Sequence, residues 1–173
     1  MKTHRSPLIS LGLLLIIFAL SSCEKDKLAG DIIDDLTFID NLYTHSSDTL
    51  QIDQQKIMLQ TNLYRDFFPG VPVDNRSHRL IAVLYLVNLD STLITSGFKA
   101  SRLYVIHTGQ AWVSEPENTN ENNLPNYKKC LTSINGPEWE TGIRVDVVIS
   151  LTDLTTNTEK LLIARNQLIE RIE

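Results

Sequence analysis

Cysteine is nearly absent, with two residues, Cys23 and Cys130, in a chain of 173. That excludes a disulfide-stapled scaffold, so the fold has to stand on its apolar core. Glycine is scarce as well, at seven residues. These are too few and too scattered for a phosphate-cradling loop, and no Gly-x-Ser-x-Gly nucleophile elbow occurs. Positive charge is in deficit, with 16 Lys and Arg against 21 Asp and Glu for a net charge of −5. Lacking a cationic footprint to neutralise phosphates, the chain is expected to have no nucleic-acid partner. No apolar run reaches the roughly 20 residues that a membrane-spanning helix needs. His45, His78 and His107 fall far apart, with none of the His-x-x-x-His spacings that hold zinc. Asp31, Asp34 and Asp35 lack the rest of a calcium loop and read as a charged face. No metal and no cofactor is called for.

What is present begins at the N-terminus. Lys2, His4 and Arg5 form a short basic head, and Leu8 to Leu20 is an apolar run ending in Ser21 and Ser22. A basic head, a short apolar core and small residues at the cut are the three parts of a secretory signal. Leu20-Ser21-Ser22-Cys23 closes the run, and this box resembles the lipobox of bacterial lipoproteins. The resemblance implies a diacylglycerol on the Cys23 thiol, cleavage of the Ser22–Cys23 bond, and further acylation (palmitate among the chains) of the new N-terminus. One acyl chain binds a membrane only marginally, whereas several on one residue hold a domain firmly. Glu24-Lys25-Asp26 is similar to the short Lys/acidic export signals of Bacteroidota lipoproteins. The implied location is the cell envelope, at the outer membrane, facing the periplasm or the cell surface. The alternative is an uncleaved signal anchor with an ordinary Cys23. Loss of Lys2 and Arg5 with residues 1–22 takes the net charge from −5 to −7.

Residues 23–53 read as an acidic tether. Ile32, Ile33, Leu36, Ile39 and Leu42 fall at spacings of three and four, which suits a short amphipathic helix. From residue 54 the pattern turns to strands. Ile57, Leu59, Thr61 and Leu63 share one face, and the Phe67–Pro72 stretch breaks the run. Leu80–Val87 is apolar on both faces, as a central strand is. Leu103 and Val105 alternate with Tyr104 and Ile106, and Gln110–Ser114 is placed to pair back across His107-Thr108-Gly109. Ile143, Val145, Val147, Ile149 and Leu151 give the cleanest alternation, joined by a turn at Asp153–Asn157 to two strands, Lys160–Ala164 and Gln167–Ile172. About seven turn-punctuated strands predict an all-β domain over 54–173, an antiparallel β-sandwich of the immunoglobulin or fibronectin-like kind with Greek-key connections. The Cys–Trp–Cys core of antibody domains is missing. The polar, Asn-rich stretch 115–138 reads as one long loop with a short edge strand near Tyr127–Ile134.

The candidate functional residues follow from these segments. Ser22 and Cys23 are the cleavage and lipidation sites. Trp112, Trp139 and Tyr127, around the long loop, are core anchors or the rim of a binding surface. Cys130 is a small buried hydrophobe or, with Lys128 and Lys129 lowering its pKa, a reactive thiol. Thr49 and Ser91 sit in Asp-Thr-Leu and Asp-Ser-Thr triplets similar to the O-glycosylation motif of exported Bacteroidota proteins. The leading expectation is a non-catalytic binding or structural module of the cell envelope, its partners the bilayer and an envelope protein or glycan. The rivals are an envelope hydrolase with a site assembled from His107, Asp146 and Cys130, and a protease-inhibitor-like module.

Overall fold

The computed structural model describes residues 30–52, 54–68, 78–121 and 123–173, so Ser22, Cys23 and the signal lie outside the described residues. The alternation seen in the sequence becomes strands almost throughout. In chain order they are β1 (Asp31–Ile33), helix α1 (Leu36–His45), β2 (Ser46–Ser47), β3 (Thr49–Ile52), β4 (Gln55–Asp66) and β5 (Leu80–Asn88). Then follow β6 (Phe98–His107), β7 (Gln110–Ser114), β8 (Glu117–Thr119), β9 (Lys128–Ser133), β10 (Arg144–Asp153) and β11 (Thr158–Ile172). The described residues are all-β with one short helix, and the strands form one curled, mixed sheet in the order β1-β7-β6-β10-β11-β4-β5-β9-β8.

The sheet is not purely antiparallel as expected. The 15-residue β11 pairs antiparallel with β10 over Thr158–Leu168, then runs parallel to β4 through Ile169–Ile172. A second short parallel pair joins β2 to β11. The device that lets β11 leave one partner for the other is local. β11 carries a bulge, Arg165 and Asn166 lying opposite the single residue Asp146 of β10, and Asn166 adopts φ +60. A bulge bends and over-twists its strand, and asparagine tolerates the left-handed region better than most residues. The two strands expected at Lys160–Ala164 and Gln167–Ile172 are therefore one strand with a bend. At the far side the curl brings Ser114 of β7 within 3.0 Å of Ser133 of β9, hydroxyl to hydroxyl.

The concave faces enclose one core, with Ile57, Leu59 and Leu63 of β4, Leu80, Leu84 and Leu86 of β5, and Val147, Ile149 and Leu151 of β10 all buried. A second cluster lies outside it. Ile39 and Leu42 of α1 pack on Tyr104, Ile106, Val148 and Ile163, the opposite faces of β6, β10 and β11. This explains why β6 and β10 are apolar on both faces, since one side meets the core and the other meets the helix.

The acidic tether is corrected by these contacts. From Asp31 onward the segment is part of the domain, as β1 pairs with β7, α1 covers the sheet and β3 pairs with β4. The helix was legible, but it starts later than the apolar spacing suggests, because Asp35 caps it. Its Oδ1 accepts from the backbone N–H of Thr37 at 2.9 Å and Phe38 at 3.1 Å. Inside 115–138 the strand expected near Tyr127–Ile134 is β9, and β8, which the sequence did not announce, pairs antiparallel with it. The β6–β7 hairpin matches expectation. His107 pairs with Gln110, leaving Thr108 and Gly109 at φ +44 and +79, the two positive values of a tight primed turn.

Candidate functional site

The bulge that redirects β11 also lies at a polar groove. The bulged residues Arg165 and Asn166 face Asp146 across the ladder, and the freed Asn166 backbone N–H turns to its carboxylate. Asp146 Oδ2 accepts from the Tyr43 hydroxyl at 2.9 Å, and its Oδ1 accepts from the Asn166 backbone N–H at 2.7 Å. Arg144 Nη1 donates to the Asn166 carbonyl at 2.7 Å. His107, Thr108 and Arg144 complete a groove of about 350 Å³. Burial, then the hydrogen bond to Asp146, pushes the Tyr43 hydroxyl up to about 12, so it stays a neutral donor. With both oxygens of Asp146 engaged, this arrangement holds a bend and presents donors to a polar ligand.

Trp139 is half-buried beside this groove, its ring 5.4 Å from that of His107. Trp112 is different. It is 0% exposed in the core, which removes it from the binding surface proposed for it and makes it a core anchor. Among the described residues its Nε1 is a buried donor without a hydrogen-bond partner. The crowding there is severe. A Cβ added at Gly30 would lie 2.3 Å from Trp112 Nε1 and 2.0 Å from the Val113 carbonyl oxygen. Tyr127 sits at the opposite end of the strands from Trp139, where its carbonyl accepts from Asn88 N–H at 2.9 Å. The three aromatic residues therefore do not share one surface.

Cys130 lies on β9, 2% exposed, and lines a separate cavity of about 460 Å³ with Glu121, Lys128 and Lys129. Its thiol donates to Glu121 Oε1 at 3.3 Å. Burial and the nearby carboxylate push the thiol up to about 11, the reverse of the lowering expected from Lys128 and Lys129. Those lysines are occupied elsewhere, Lys128 Nζ over the Tyr85 ring at 5.8 Å and Lys129 Nζ over the Phe98 ring at 5.6 Å. His107 and Asp146 share a groove, but Cys130 lines another, so the hydrolase constellation does not assemble.

The remaining candidates are scattered. His45 Nδ1 donates to the Asn41 carbonyl at the end of α1. His78 Nδ1 donates to the Asp66 carbonyl at 2.7 Å and its ring stacks on Phe67 at 4.8 Å. Asp31 belongs to β1, Asp34 is exposed, and Asp35 is the helix cap. Thr49 lies on β3 opposite Met58, and Ser91 is in an exposed turn at φ +54. Among the described residues no group of three or more His, Cys, Asp or Glu is placed to hold a metal ion.

A second polar assembly was not visible in the sequence. Arg65 and Arg171 both lie over the Phe67 ring, at 5.1 and 4.1 Å, while Arg65 Nη1 donates to the Trp139 carbonyl at 2.8 Å. These residues are brought together only by the parallel β4–β11 pairing, which no local pattern announces. Compared with protein-family models, with curated proteins and with solved structures, the chain matches none.

Proposed function

We propose that the chain is a lipid-anchored protein of the cell envelope, held in the outer membrane by acylated Cys23, and that its β domain is a non-catalytic binding or structural module. The observation that carries this reading is the box Leu20-Ser21-Ser22-Cys23 at the end of a short apolar run behind a basic head. Two features of the domain support it. The thiol of Cys130 is buried and held protonated, and each oxygen of the Asp146 carboxylate accepts a structural hydrogen bond, from Tyr43 and from Asn166. The groove beside Trp139 offers hydrogen-bond donors next to an aromatic ring, a combination suited to a glycan or a polar protein segment.

The finer fold reading belongs with this proposal. The two halves of the curled sheet act as the layers of a sandwich sharing β11. Kinship with immunoglobulin-like domains would rest on the β10–β11 hairpin alone, and the parallel β4–β11 pair departs from that pattern.

The test is fractionation of cells expressing the full chain or its Cys23→Ser variant, with a clickable fatty acid in the medium. The full chain takes up label and sediments with membranes, and the variant does neither. Equal labelling of the two chains would refute lipidation at Cys23.

A further inference from the structure

Resting on the anchor reading, we infer that the end of the domain built from the 89–97 loop and the 154–157 turn lies against the lipid surface, with Leu93 and Leu154 inserted at the bilayer interface. Three independent observations converge on that end.

The first is where the tether leaves. Gly30 is pinned against the Val113 carbonyl and the Trp112 ring, so the exit point is fixed. β1 runs antiparallel to β7, with Asp31 opposite Val113, and Val113 lies opposite Tyr104 of β6. The N-terminal end of β1 therefore points along β6 toward Phe98. From Tyr104 to Phe98 is six residues, roughly 20 Å of strand. From Asp31 back to Cys23 is eight residues, at most roughly 28 Å of chain. A fully extended chain of that length is long enough to span to the Phe98 end, with under about 10 Å in excess by the same chain dimensions.

The second is what that end displays. Leu93 is 64% exposed and Leu154 is 58% exposed, both among the largest exposures of apolar side chains in the domain. Phe98 pairs with Asp153, and Leu154 N–H donates to the Gly97 carbonyl at 2.8 Å, which sets the two tips side by side. Around them the chain is Ser91-Thr92, Thr95-Ser96 and Thr155-Thr156-Asn157, with Asp90 the one charged residue of the two tips. Exposed Lys56, Lys99 and Glu159 flank the tips, the two lysines being long cationic side chains of the kind that meet lipid headgroups. The opposite end carries Arg65, Asp66, Glu138, Arg144, Glu170 and Arg171, and could not enter a bilayer without burying charge.

The third is rigidity. Buried Gln55 donates to the Leu93 carbonyl at 2.6 Å and accepts from Thr95 N–H at 3.0 Å. Buried Asn88 donates to the Thr92 carbonyl at 3.0 Å. Two internal amides thus hold a loop whose leucine points outward, so the leucine is presented by design of the fold and not by slack in it. A lipid surface fits these features because insertion needs apolar tips, uncharged neighbours and a nearby acyl anchor together.

The experiment places a spin label at Leu93→Cys, Leu154→Cys or Glu170→Cys, each in the full, processed chain with Cys130→Ala, reconstituted into phosphatidylethanolamine–phosphatidylglycerol vesicles. Mass measurement of the same samples reports acylation of Cys23. Labels at 93 and 154 are expected to collide with dissolved oxygen several-fold more than with a polar nickel complex, with the order reversed at 170. Nickel access at 93 and 154 equal to that at 170, on a chain with acylated Cys23, overturns the inference and leaves the anchor reading intact. Dipolar broadening between copies at 93 would overturn it in favour of a second copy of this chain. An unacylated Cys23 overturns the anchor reading itself, and this inference with it.

Discussion

At the residue scale the chain's chemistry is defined by how fully its reactive-looking groups are occupied. Cys130 was legible as a lone cysteine, but its environment was not. Its pKa is set first by burial on β9 and then by Glu121, nine residues away across the β8–β9 connection, rather than by the adjacent lysines. The sign of the pH effect follows from the raised value. A thiol whose folded pKa is about 11 favours the fold fully below its unfolded value of about 8.5, and that contribution fades as pH rises toward about 11. Native protein at pH 8 should therefore alkylate at Cys130 roughly a hundredfold more slowly than a free thiol, and at the ordinary rate in guanidinium. Fast native alkylation would reopen a catalytic role for this residue. Asp146 teaches the same lesson. Its position in the alternating run Ile143–Leu151 was plain from the sequence, but its partners were not, being Tyr43 and the bulged Asn166 across the hairpin.

At the element scale, periodicity read the sheet well wherever a strand has one core face. β4, β5, β7 and β10 all fall within a few residues of the runs that predicted them. What periodicity missed was pairing over long separations. β1 and β3 are too short to show a period, and their partners β7 and β4 supply their stability. The clue to α1 as a cover was present in Leu103-Tyr104-Val105-Ile106 and in Val147-Val148-Ile149, apolar on both faces of strands that need a partner on each side. A helix doing that work contributes to stability, and a tether does not. Leu42→Ala, at a site 4% exposed between α1 and the sheet, should cost about 2–4 kcal/mol in denaturant unfolding. A loss within about 0.5 kcal/mol, the usual size of a surface change, would return α1 to the status of a spacer.

At the scale of the whole molecule, the domain has a long axis with two unlike ends. One end is charged, carrying the Arg65–Phe67–Arg171 stack and the groove of Tyr43, His107, Arg144 and Asp146. The other has tips of serine, threonine and leucine with Asp90 among them, flanked by Lys56, Lys99 and Glu159, and the N-terminal strand points toward it. Shortening the tether from some thirty residues to the seven between Cys23 and Asp31 changes the picture of the proposed anchored protein. On the proposed anchoring, the domain would sit on the bilayer with its charged end and groove turned away from it. Neither end was legible from sequence, because each gathers residues from strands far apart in the chain. The measurement that tests the central claim most directly is the intact mass of the processed protein extracted from membranes. The account predicts a chain that begins at Cys23 and carries the added mass of a diacylglycerol, with or without a further acyl chain. A chain that retains residues 1–22, or one that starts elsewhere with an unmodified Cys23, would contradict it.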